Sequence, residues 1–249
     1  MAAQLLKDKI ALVTGASRGI GAAVATCFAR EGAHVIMVAR TVGALEEVDD
    51  QVKAAGGSAT LVPLDLTDLD SIDRLAAPLL ERFRRLDILV GNAGMLGRLT
   101  PLQQFPPDMW EKVFTLNVHA NWRLVRALDP LLRLSPAGRA IFVTSGITRH
   151  HPAYWGAYDA SKAALEAMVM TYAAENRKGN IRVNLVNPGP TRTAMRKEAF
   201  PGEDPNELPA PAEIAEAFVP LAMADCTMHG EWVAADAWLT AKKTGVNRQ

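Results

Sequence analysis

The chain alternates between short apolar runs and longer stretches in which apolar residues recur every three or four positions. The apolar runs are almost continuous, as in strands that are buried on both faces of a parallel sheet. The longer stretches have the period of helices with one apolar face. The pattern predicts seven strands, at 10–14, 34–39, 59–64, 88–91, 140–144, 182–186 and 231–234, and helices at about 19–31, 43–55, 68–84, 108–134, 156–178 and 211–224.

Strands that alternate with helices predict an α/β fold, with a doubly wound parallel sheet and right-handed crossovers. The 249 residues show no break in composition, so we expect a single domain over 1–249. The segment 200–209 is rich in turn-forming residues and follows the sixth strand, at the sheet edge where substrates enter such folds. We predict a flexible substrate flap around 194–212, and an ordinary surface loop is the alternative.

Composition narrows the classes of partner. Lysine plus arginine and aspartate plus glutamate both number 27, and no basic stripe stands out, which argues against nucleic acid. The two cysteines, Cys27 and Cys226, have neither metal-ligand spacing nor the density of a disulfide framework. The first residues lack the apolar core of a signal peptide, and no apolar run is long enough to span a membrane. We therefore expect a soluble, cytoplasmic protein with no membrane partner.

A glycine-rich turn, TGASRGIG, follows the first strand at 14–21. Gly15 permits a tight turn, and Gly19 and Gly21 let the backbone approach a phosphate and let the next helix pack close to the sheet. The helix that begins near Gly19 would point its N–H groups and positive dipole end at a diphosphate. The Gly-x-x-x-Gly-x-Gly spacing differs from that of the commoner dinucleotide fold. Alone, the motif also fits a plain strand-to-helix turn.

The end of the second strand indicates which nicotinamide nucleotide is used. An NAD site usually has an acid there, which accepts a hydrogen bond from the ribose 2′-hydroxyl. Here the strand is followed by Arg40, and Arg18 in the glycine-rich turn is a second cation. Two guanidinium groups can hold a 2′-phosphate by charge-assisted hydrogen bonds. We predict NADP(H) as the preferred cofactor and NAD(H) as the alternative, with Arg40 as a plain solvated charge in the second case.

Two further strand ends carry residues suited to a nucleotide. Asp65 ends the third strand, where its carboxylate can accept a hydrogen bond from the adenine amino group. A helix N-cap is the alternative, although Thr67 and Asp68 suit that role better. The fourth strand closes with Asn92, Ala93 and Gly94. Their small size leaves room for the cofactor, and Asn92 can bridge neighbouring strands.

Tyr158 and Lys162 lie one helical turn apart. A free tyrosine has a pKa near 10 and is a poor base at neutral pH. The charge of Lys162, together with that of an oxidised nicotinamide ring, would lower the pKa of the tyrosine, which makes Tyr158 a general acid/base. Lys162 could also hold the nicotinamide ribose. A Tyr-x-x-x-Lys pair on a helix also arises by chance.

Two polar residues complete the predicted reacting centre. Ser145 ends the fifth strand, where its hydroxyl could hold the substrate oxygen or merely cap the strand. Asn117 stands in an apolar helical stretch, where its carboxamide could hold a water that relays protons from Lys162 or bond locally to backbone. We assign no metal site, because the histidines lack ligand spacing, and we interpret His150 and His151 as loop residues near the substrate.

Together, these motifs resemble the short-chain dehydrogenase/reductase family in its shorter, non-extended subtype. The matching elements, in order, are Thr14-Gly15-x-x-x-Gly19-x-Gly21, Asn92-Ala93-Gly94, Asn117, Ser145, Tyr158-x-x-x-Lys162 and Pro188-Gly189-x-x-x-Thr193. The resemblance implies a Rossmann-type, three-layer α/β/α fold with seven parallel strands, and a homodimer or homotetramer that pairs through helices 108–134 and 156–178. The segment 187–196 looks like that of a bacterial subgroup whose members mostly lack an assigned substrate.

The resemblance also implies the site residues. The catalytic tetrad would be Asn117, Ser145, Tyr158 and Lys162. Pro188, Gly189 and Thr193 would line the nicotinamide side. The full predicted cofactor-binding set is Gly15, Ser17, Arg18, Gly19, Ile20, Gly21, Arg40, Asp65, Leu66, Asn92, Ala93, Gly94, Tyr158, Lys162, Pro188, Gly189, Thr191 and Thr193. The C-terminal stretch 232–238 departs from the family's usual Val-Asp-Gly-Gly ending, so the seventh strand depends on a weak apolar run alone.

We therefore expect an NADP(H)-dependent oxidoreductase that interconverts a ketone or aldehyde and a secondary or primary alcohol by hydride transfer, with Tyr158 as the general acid/base. One alternative is a 3-oxoacyl thioester reductase of the fatty-acid synthesis type. The other is a nucleotide-sensing protein that has kept the fold but not the catalysis.

Overall fold

A single parallel sheet organises the computed structural model, which describes residues 4–244. The predicted domain of 1–249 extends beyond these residues at both ends. The strands run in the order β3-β2-β1-β4-β5-β6-β7, and every neighbouring pair is parallel. They are β1 (Ile10–Thr14), β2 (His34–Ala39), β3 (Ser58–Pro63), β4 (Ile88–Gly91), β5 (Gly138–Val143), β6 (Ile181–Asn187) and β7 (Trp232–Ala234).

The predicted fold class is confirmed, and the strand positions agree to within two residues. The short last strand is present: Trp232 pairs with Leu185 of β6. Burial explains why the apolar runs predict the strands so well. Successive residues of β1 point to opposite faces, so Val13 enters the core on one side of the sheet and Leu12 the core on the other.

Helices cover both faces and make the three layers. One core contains residues of α1, α2, α9, α10 and α11, and the other contains residues of α3, α4, α6 and α7. The helices are α1 (Gly19–Arg30), α2 (Val42–Ala54), α3 (Leu69–Asp73), α4 (Ala76–Phe83), α5 (Pro107–Phe114), α6 (Ala120–Arg133), α7 (Gly156–Glu175), α8 (Ala194–Ala199), α9 (Pro211–Ala215), α10 (Val219–Ala222) and α11 (Ala235–Thr244). None of these helices is both long enough and apolar enough to cross a bilayer.

Two predicted helices are broken, and a proline explains each break. The predicted helix 68–84 forms as α3 and α4, and the predicted helix 211–224 forms as α9, a 3₁₀ turn and α10. Pro78 has no N–H for the carbonyl of Arg74, and Pro220 has none for that of Glu216. The ring of each proline also crowds that carbonyl. The predictions of continuous helices were therefore wrong at these two places.

The predicted helix 108–134 contains an irregular turn. Its observed parts are α5, a π-helical turn at Thr115–His119 and α6. A π turn holds one more residue than an α turn and often marks a functional site in a helix. Asn117 lies at the centre of this turn and is fully buried.

The strand order fixes where a ligand can bind. From β1 the chain continues to β2 and β3 on one side of the sheet. From β4 it continues to β5, β6 and β7 on the other side. The crossovers diverge between β1 and β4, which opens a crevice at the carboxyl ends of these two strands. The glycine-rich turn and the segment that begins with Asn92 both follow strands at this crevice.

Candidate active site

The glycine-rich turn forms a backbone cradle at the start of α1. Gly15 and Gly19 have φ values of +64° and +57°, which L side chains rarely adopt. A Cβ on Gly21 would lie 2.2 Å from the carbonyl oxygen of Gly15, so no side chain fits there. Arg18 makes no side-chain cap, which leaves the first N–H groups of α1 to a ligand. The cradle has room for the predicted diphosphate, and its binding there stays a prediction.

The floor of the crevice is a hydrogen-bond cluster around Thr14. Its Oγ1 accepts from the backbone N–H groups of Asn92 and Ala93 at 2.9 and 3.0 Å and donates to the carbonyl of Val90. The amide of Asn92 donates to the carbonyl of Thr14 at 2.8 Å. Asn92 thus bridges β1 and β4, as predicted. Sequence reasoning assigned no role to Thr14, although its place before Gly15 is a usable signal.

The side of the crevice next to β2 carries the two predicted arginines. Arg18 and Arg40 are both exposed, and neither forms an ion pair within residues 4–244. The backbone N–H of Ala16 donates to the carbonyl of Val38 at 3.3 Å, which holds the glycine-rich turn against the end of β2. Both guanidinium groups are therefore available to a phosphate on this side.

Asp65 is already partly engaged. Its Oδ1 accepts from the backbone N–H and hydroxyl of Thr67 at 2.9 and 2.8 Å, while Oδ2 accepts no hydrogen bond within the described chain. Asp68 rather than Asp65 caps α3. The helix-cap alternative for Asp65 was therefore wrong, and only Oδ2 remains for an adenine amino group. Leu66 beside it is buried.

Tyr158 and Lys162 are both buried on α7 at the carboxyl end of β5. Lys162 Nζ donates to the carbonyl oxygen of Val143 at 2.8 Å and lies 5.8 Å from the centre of the Tyr158 ring. Burial lowers the pKa of Lys162 to about 8, and the carboxylate of Glu166 acts in the opposite direction. At neutral pH the lysine is still mainly protonated.

The pKa of the Tyr158 phenol is set mainly by burial. Burial raises it, and a hydrogen bond with Ser145 opposes this rise without cancelling it. The sequence predicted a lowered pKa through Lys162 together with an oxidised nicotinamide ring; without the nucleotide, burial prevails, and the lowered pKa in the complex stays a prediction. A raised pKa keeps the phenol protonated at neutral pH, which suits a proton donor to a carbonyl oxygen.

Ser145 serves as a cap and also lies beside the tyrosine. Its Oγ accepts from the N–H of Ile147 at 3.4 Å and so caps the 3₁₀ turn Gly146–Arg149. The same residue acts on the phenol of Tyr158, whose pKa it tends to lower. Ser145 is thus a cap, as the alternative predicted. The capping bond also fixes the position of the hydroxyl that is predicted to hold the substrate oxygen.

Asn117 holds the backbone around the lysine. Its Oδ1 accepts from the N–H of Met95 at 2.9 Å, and its Nδ2 donates to the Met95 carbonyl at 3.0 Å and to Ser161 Oγ at 2.9 Å. Both amide hydrogens are therefore used. Ser161 Oγ in turn donates to the carbonyl of Tyr158 at 2.7 Å, so a chain of bonds reaches the tyrosine backbone. Sequence reasoning missed Ser161.

This arrangement revises the expected role of the Asn117 carboxamide. Nδ2 has no hydrogen left to donate to a water. The amide could therefore hold the predicted water only through the second lone pair of Oδ1. A Cβ on Gly94 would lie 3.2 Å from Asn117 Oδ1 and 3.6 Å from Lys162 Nζ. Gly94 thus leaves open the space above these two groups.

Replacing Asn117 with alanine is expected to lower both stability and turnover. The substitution removes the side-chain partner of the half-buried Met95 N–H and carbonyl and leaves Ser161 Oγ with only its bond to the Tyr158 carbonyl, and each buried group left unpaired costs about 1–3 kcal/mol. Denaturant unfolding should give a free energy of unfolding at least about 2 kcal/mol below that of the unaltered protein. Asn117→Asp keeps Oδ1 but places a buried carboxylate oxygen against the Met95 carbonyl, so it should also lose stability. An alanine variant as stable as the unaltered protein would contradict the bracing role.

The loop after β6 closes the other side of the crevice. Gly189 has a φ of +70°, and a Cβ there would lie 2.5 Å from Asp236 Oδ2 at the start of α11. Thr191 donates to the carbonyl of Gly189, and the hydroxyl of Thr193 caps α8 through the N–H of Arg196. A Cβ on Gly19 would lie 3.6 Å from the Thr193 methyl carbon, so this loop faces the glycine-rich turn.

The predicted flap contains structure that the sequence did not predict. It includes α8, whose Arg196 forms an ion pair with Glu203 at 2.6 Å and stacks 3.8 Å from the centre of the Phe200 ring. Phe200 contacts Trp155, and Trp155 contacts Tyr158, with ring centres 5.6 and 5.9 Å apart. The segment therefore reaches the candidate catalytic tyrosine, and its flexibility stays a prediction.

The two loop histidines lie at the same edge of the sheet. His150 is exposed, and His151 Nδ1 lies 2.8 Å from the carboxylate of Asp159, the residue after Tyr158. Across residues 4–244, no group of three or more His, Cys, Asp or Glu side chains could hold a metal ion.

Comparisons with known proteins agree with this geometry. The family model described as short chain dehydrogenase matches residues 9–204 of this chain. The protein named "Uncharacterized oxidoreductase YciK" from Escherichia coli (strain K12) is 43% identical over 213 residues, which are 84% of this chain and 84% of that protein.

Two solved structures share the fold closely. A short chain dehydrogenase from Escherichia coli CFT073, complexed with NADPH, has a TM-score of 0.90 and 40% identity and covers 93% of this chain and 98% of its own. One from Shigella flexneri 2a str. 301, complexed with NADP, has a TM-score of 0.90 and 40% identity, with 94% and 99% covered. With a family match over most of its length and relatives this similar, the chain belongs to the short-chain dehydrogenase/reductase family of NAD(P)-dependent oxidoreductases.

Proposed function

We propose that this protein interconverts a ketone or aldehyde and the corresponding alcohol with NADP(H) as cofactor. The observation that carries the proposal is the buried Tyr158 phenol, whose pKa Ser145 acts to lower and which has the Lys162 ammonium 5.8 Å from its ring centre. All three groups lie at the carboxyl edge of the sheet, beside the glycine cradle. Nucleotides bind in the crevice at this edge in such a fold.

Each residue has a role that follows from its position. Ser145 holds the substrate oxygen against the Tyr158 phenol, and the phenol donates its proton to that oxygen as the carbonyl is reduced. Lys162 stabilises the phenolate that remains, because its charge sits in a poorly solvated site. The nicotinamide, when bound, supplies the hydride in reduction and accepts it in oxidation.

NADP(H) is proposed over NAD(H) on two grounds. Arg18 and Arg40 are exposed and without ion pairs in the described chain, beside the end of β2 where the ribose 2′ position would lie. In addition, two structures that are 40% identical to this chain are complexed with NADPH or NADP. No carboxylate ends β2, and a carboxylate is what an NAD-selective site would use there.

A kinetic screen tests the proposal. Purified protein is mixed with NADPH and a panel of ketones, aldehydes and an acetoacetyl thioester, and the nicotinamide absorbance is followed. We expect turnover with at least one simple carbonyl compound, and faster turnover with NADPH than with NADH. Activity confined to the thioester would support the 3-oxoacyl reductase alternative. Micromolar NADPH binding with no turnover in either direction would support a nucleotide sensor instead.

We also propose that the protein is a homodimer or homotetramer through α5–α6 and α7. Trp122 on α6 is 48% exposed and Met170 on α7 is 43% exposed, so the pairing of these helices in an assembly would cover both apolar side chains. Ala163 and Ala167 are exposed on α7 and would allow close packing of a second helix. Sedimentation at micromolar concentration tests this assembly. The cytoplasmic location stays a prediction.

A further inference from the structure

Glu166 is the centre of a hydrogen-bond cluster one turn beyond Lys162 on α7. Its Oε1 lies 2.6 Å from the hydroxyl of Thr144, 2.9 Å from that of Thr148 and 3.0 Å from Trp232 Nε1. Its Oε2 forms an ion pair with Arg149 at 3.1 Å. The side chain is only 12% exposed. A carboxylate with this many donors is tightly fixed.

The cluster connects the segments that carry Ser145 and Lys162. Thr144 lies between Ser145 and Val143, whose carbonyl accepts from the lysine. Thr148 is part of the turn that Ser145 caps, and its single hydroxyl hydrogen is shared between Glu166 and the Ser145 carbonyl, at 2.9 and 3.0 Å. One carboxylate therefore holds the strand end and the following turn against the helix that bears the lysine.

The same cluster sets the charges around the lysine. The charged and titratable groups that face Lys162 are Glu166 and Tyr158 on its own helix, and β5 presents only the Val143 carbonyl. The segment after β4 presents Gly94, and the π turn presents the neutral Asn117 amide. Arg149 reaches this region through Glu166, with its guanidinium 5.0 Å from the centre of the Trp232 ring.

We propose that Glu166 is a positioning residue of the active site, which aligns Ser145 with Lys162 and whose negative charge keeps the buried lysine ammonium charged during turnover. The proposal rests on the proposed roles of Ser145 and Lys162. Arg149 opposes this effect, because its guanidinium neutralises part of the Glu166 charge. Removal of the carboxylate and removal of the guanidinium should therefore shift the titration midpoint of Lys162 in opposite directions. Loss of packing alone would not give opposite shifts.

The test is a titration of Lys162 in three proteins: unaltered, Glu166→Gln and Arg149→Met. Each is labelled with ¹³Cε-lysine and titrated by NMR, and Lys162→Met identifies the signal. In the unaltered protein we expect the lysine pKa to be about 8. Glu166→Gln should lower the titration midpoint by about one pH unit, since it removes the facing charge but keeps the shape. Arg149→Met should raise it.

Turnover gives a second readout. If the protonated lysine is the active form, activity falls as pH rises through its pKa, and Glu166→Gln moves this fall to lower pH. At pH 8, a shift of about one unit lowers the protonated fraction from roughly one half to one tenth, a fivefold loss of kcat. Thr144→Val keeps the charge of Glu166 but removes its hydrogen bond with Thr144. This variant should lower kcat and leave unchanged the pH at which activity falls.

Opposite shifts of the midpoint in the two variants would support the proposal. A Lys162 midpoint in Glu166→Gln equal to that of the unaltered protein, with kcat at pH 8 within twofold, would overturn it. Should Glu166→Gln fail to fold, Arg149→Met still decides, because Arg149 is 50% exposed and an unmoved midpoint contradicts the charge effect. The NMR readout needs no substrate, so a failure of the proposed carbonyl chemistry is seen separately, as absent turnover in the unaltered protein.

Discussion

Tyr158→Phe is expected to lower kcat for carbonyl reduction by about 10²- to 10⁴-fold, the usual contribution of general acid catalysis. The phenol is the proton donor, and burial raises its pKa so that the proton is in place at neutral pH. Phenylalanine keeps the ring that packs on Trp155 but loses the hydroxyl that meets Ser145. Because the ring is not part of the phosphate cradle, NADPH affinity should change by less than about threefold.

Steady-state kinetics and a fluorescence titration with NADPH separate these two effects. Tyr154→Phe is the matched control, since it removes a hydroxyl four residues away on a side chain that is 59% exposed. It should retain full activity. If Tyr158→Phe kept turnover within a few-fold of the unaltered protein, Tyr158 would not be the acid.

The second large effect is expected at the two arginines beside β2. Arg18→Ala combined with Arg40→Ala should weaken NADPH binding by about 10- to 100-fold, because hydrogen bonds to a charged group contribute about 1.5–3 kcal/mol. NADH lacks the 2′-phosphate, so its affinity should stay nearly constant. The loss should also shrink as salt is added, since both guanidinium groups are exposed.

Parallel titrations with NADPH and NADH measure this selectivity. Arg177→Ala is the matched control: Arg177 is also exposed, but it follows the C-terminal end of α7, which precedes β6 and so lies away from the carboxyl ends of the strands. An equal loss of affinity for both nucleotides would mean that the arginines bind the shared diphosphate. No loss for either would remove them from the site.

The strands were predictable because each is covered on both faces. In β2, for example, Ile36 and Met37 enter different cores, so neither can be polar and the run stands out in the sequence. The helix breaks could also have been predicted, because Pro78 and Pro220 lack the N–H groups that a continuous helix needs. The helical spacing of the apolar residues continues across both prolines, and it led to the prediction of continuous helices. The family prediction is confirmed, because its motifs are local and keep their order.

The site was less predictable where residues far apart in the sequence determine a property. The raised pKa of Tyr158 depends on burial by several elements, which a Tyr-x-x-x-Lys spacing does not contain. Glu166 reads as an ordinary helix residue until β7 brings Trp232 to its carboxylate. The assignment of the catalytic and cofactor-binding residues stays a prediction that the variants above test.

The π turn at Thr115–His119 makes the helix that contains it sensitive to deletion in an unusual way. A π turn is equivalent to an α-helix with one residue inserted, and each residue advances an α-helix by about 100°. Because the wide turn absorbs the rotation of the extra residue, loss of one residue within it would let the helix regain uniform geometry with α5 and α6 still in line. The helix itself would survive such a deletion, while the amide of Asn117 would no longer meet Met95 and Ser161. Within 115–119, chain length is therefore under a stricter constraint than helix propensity.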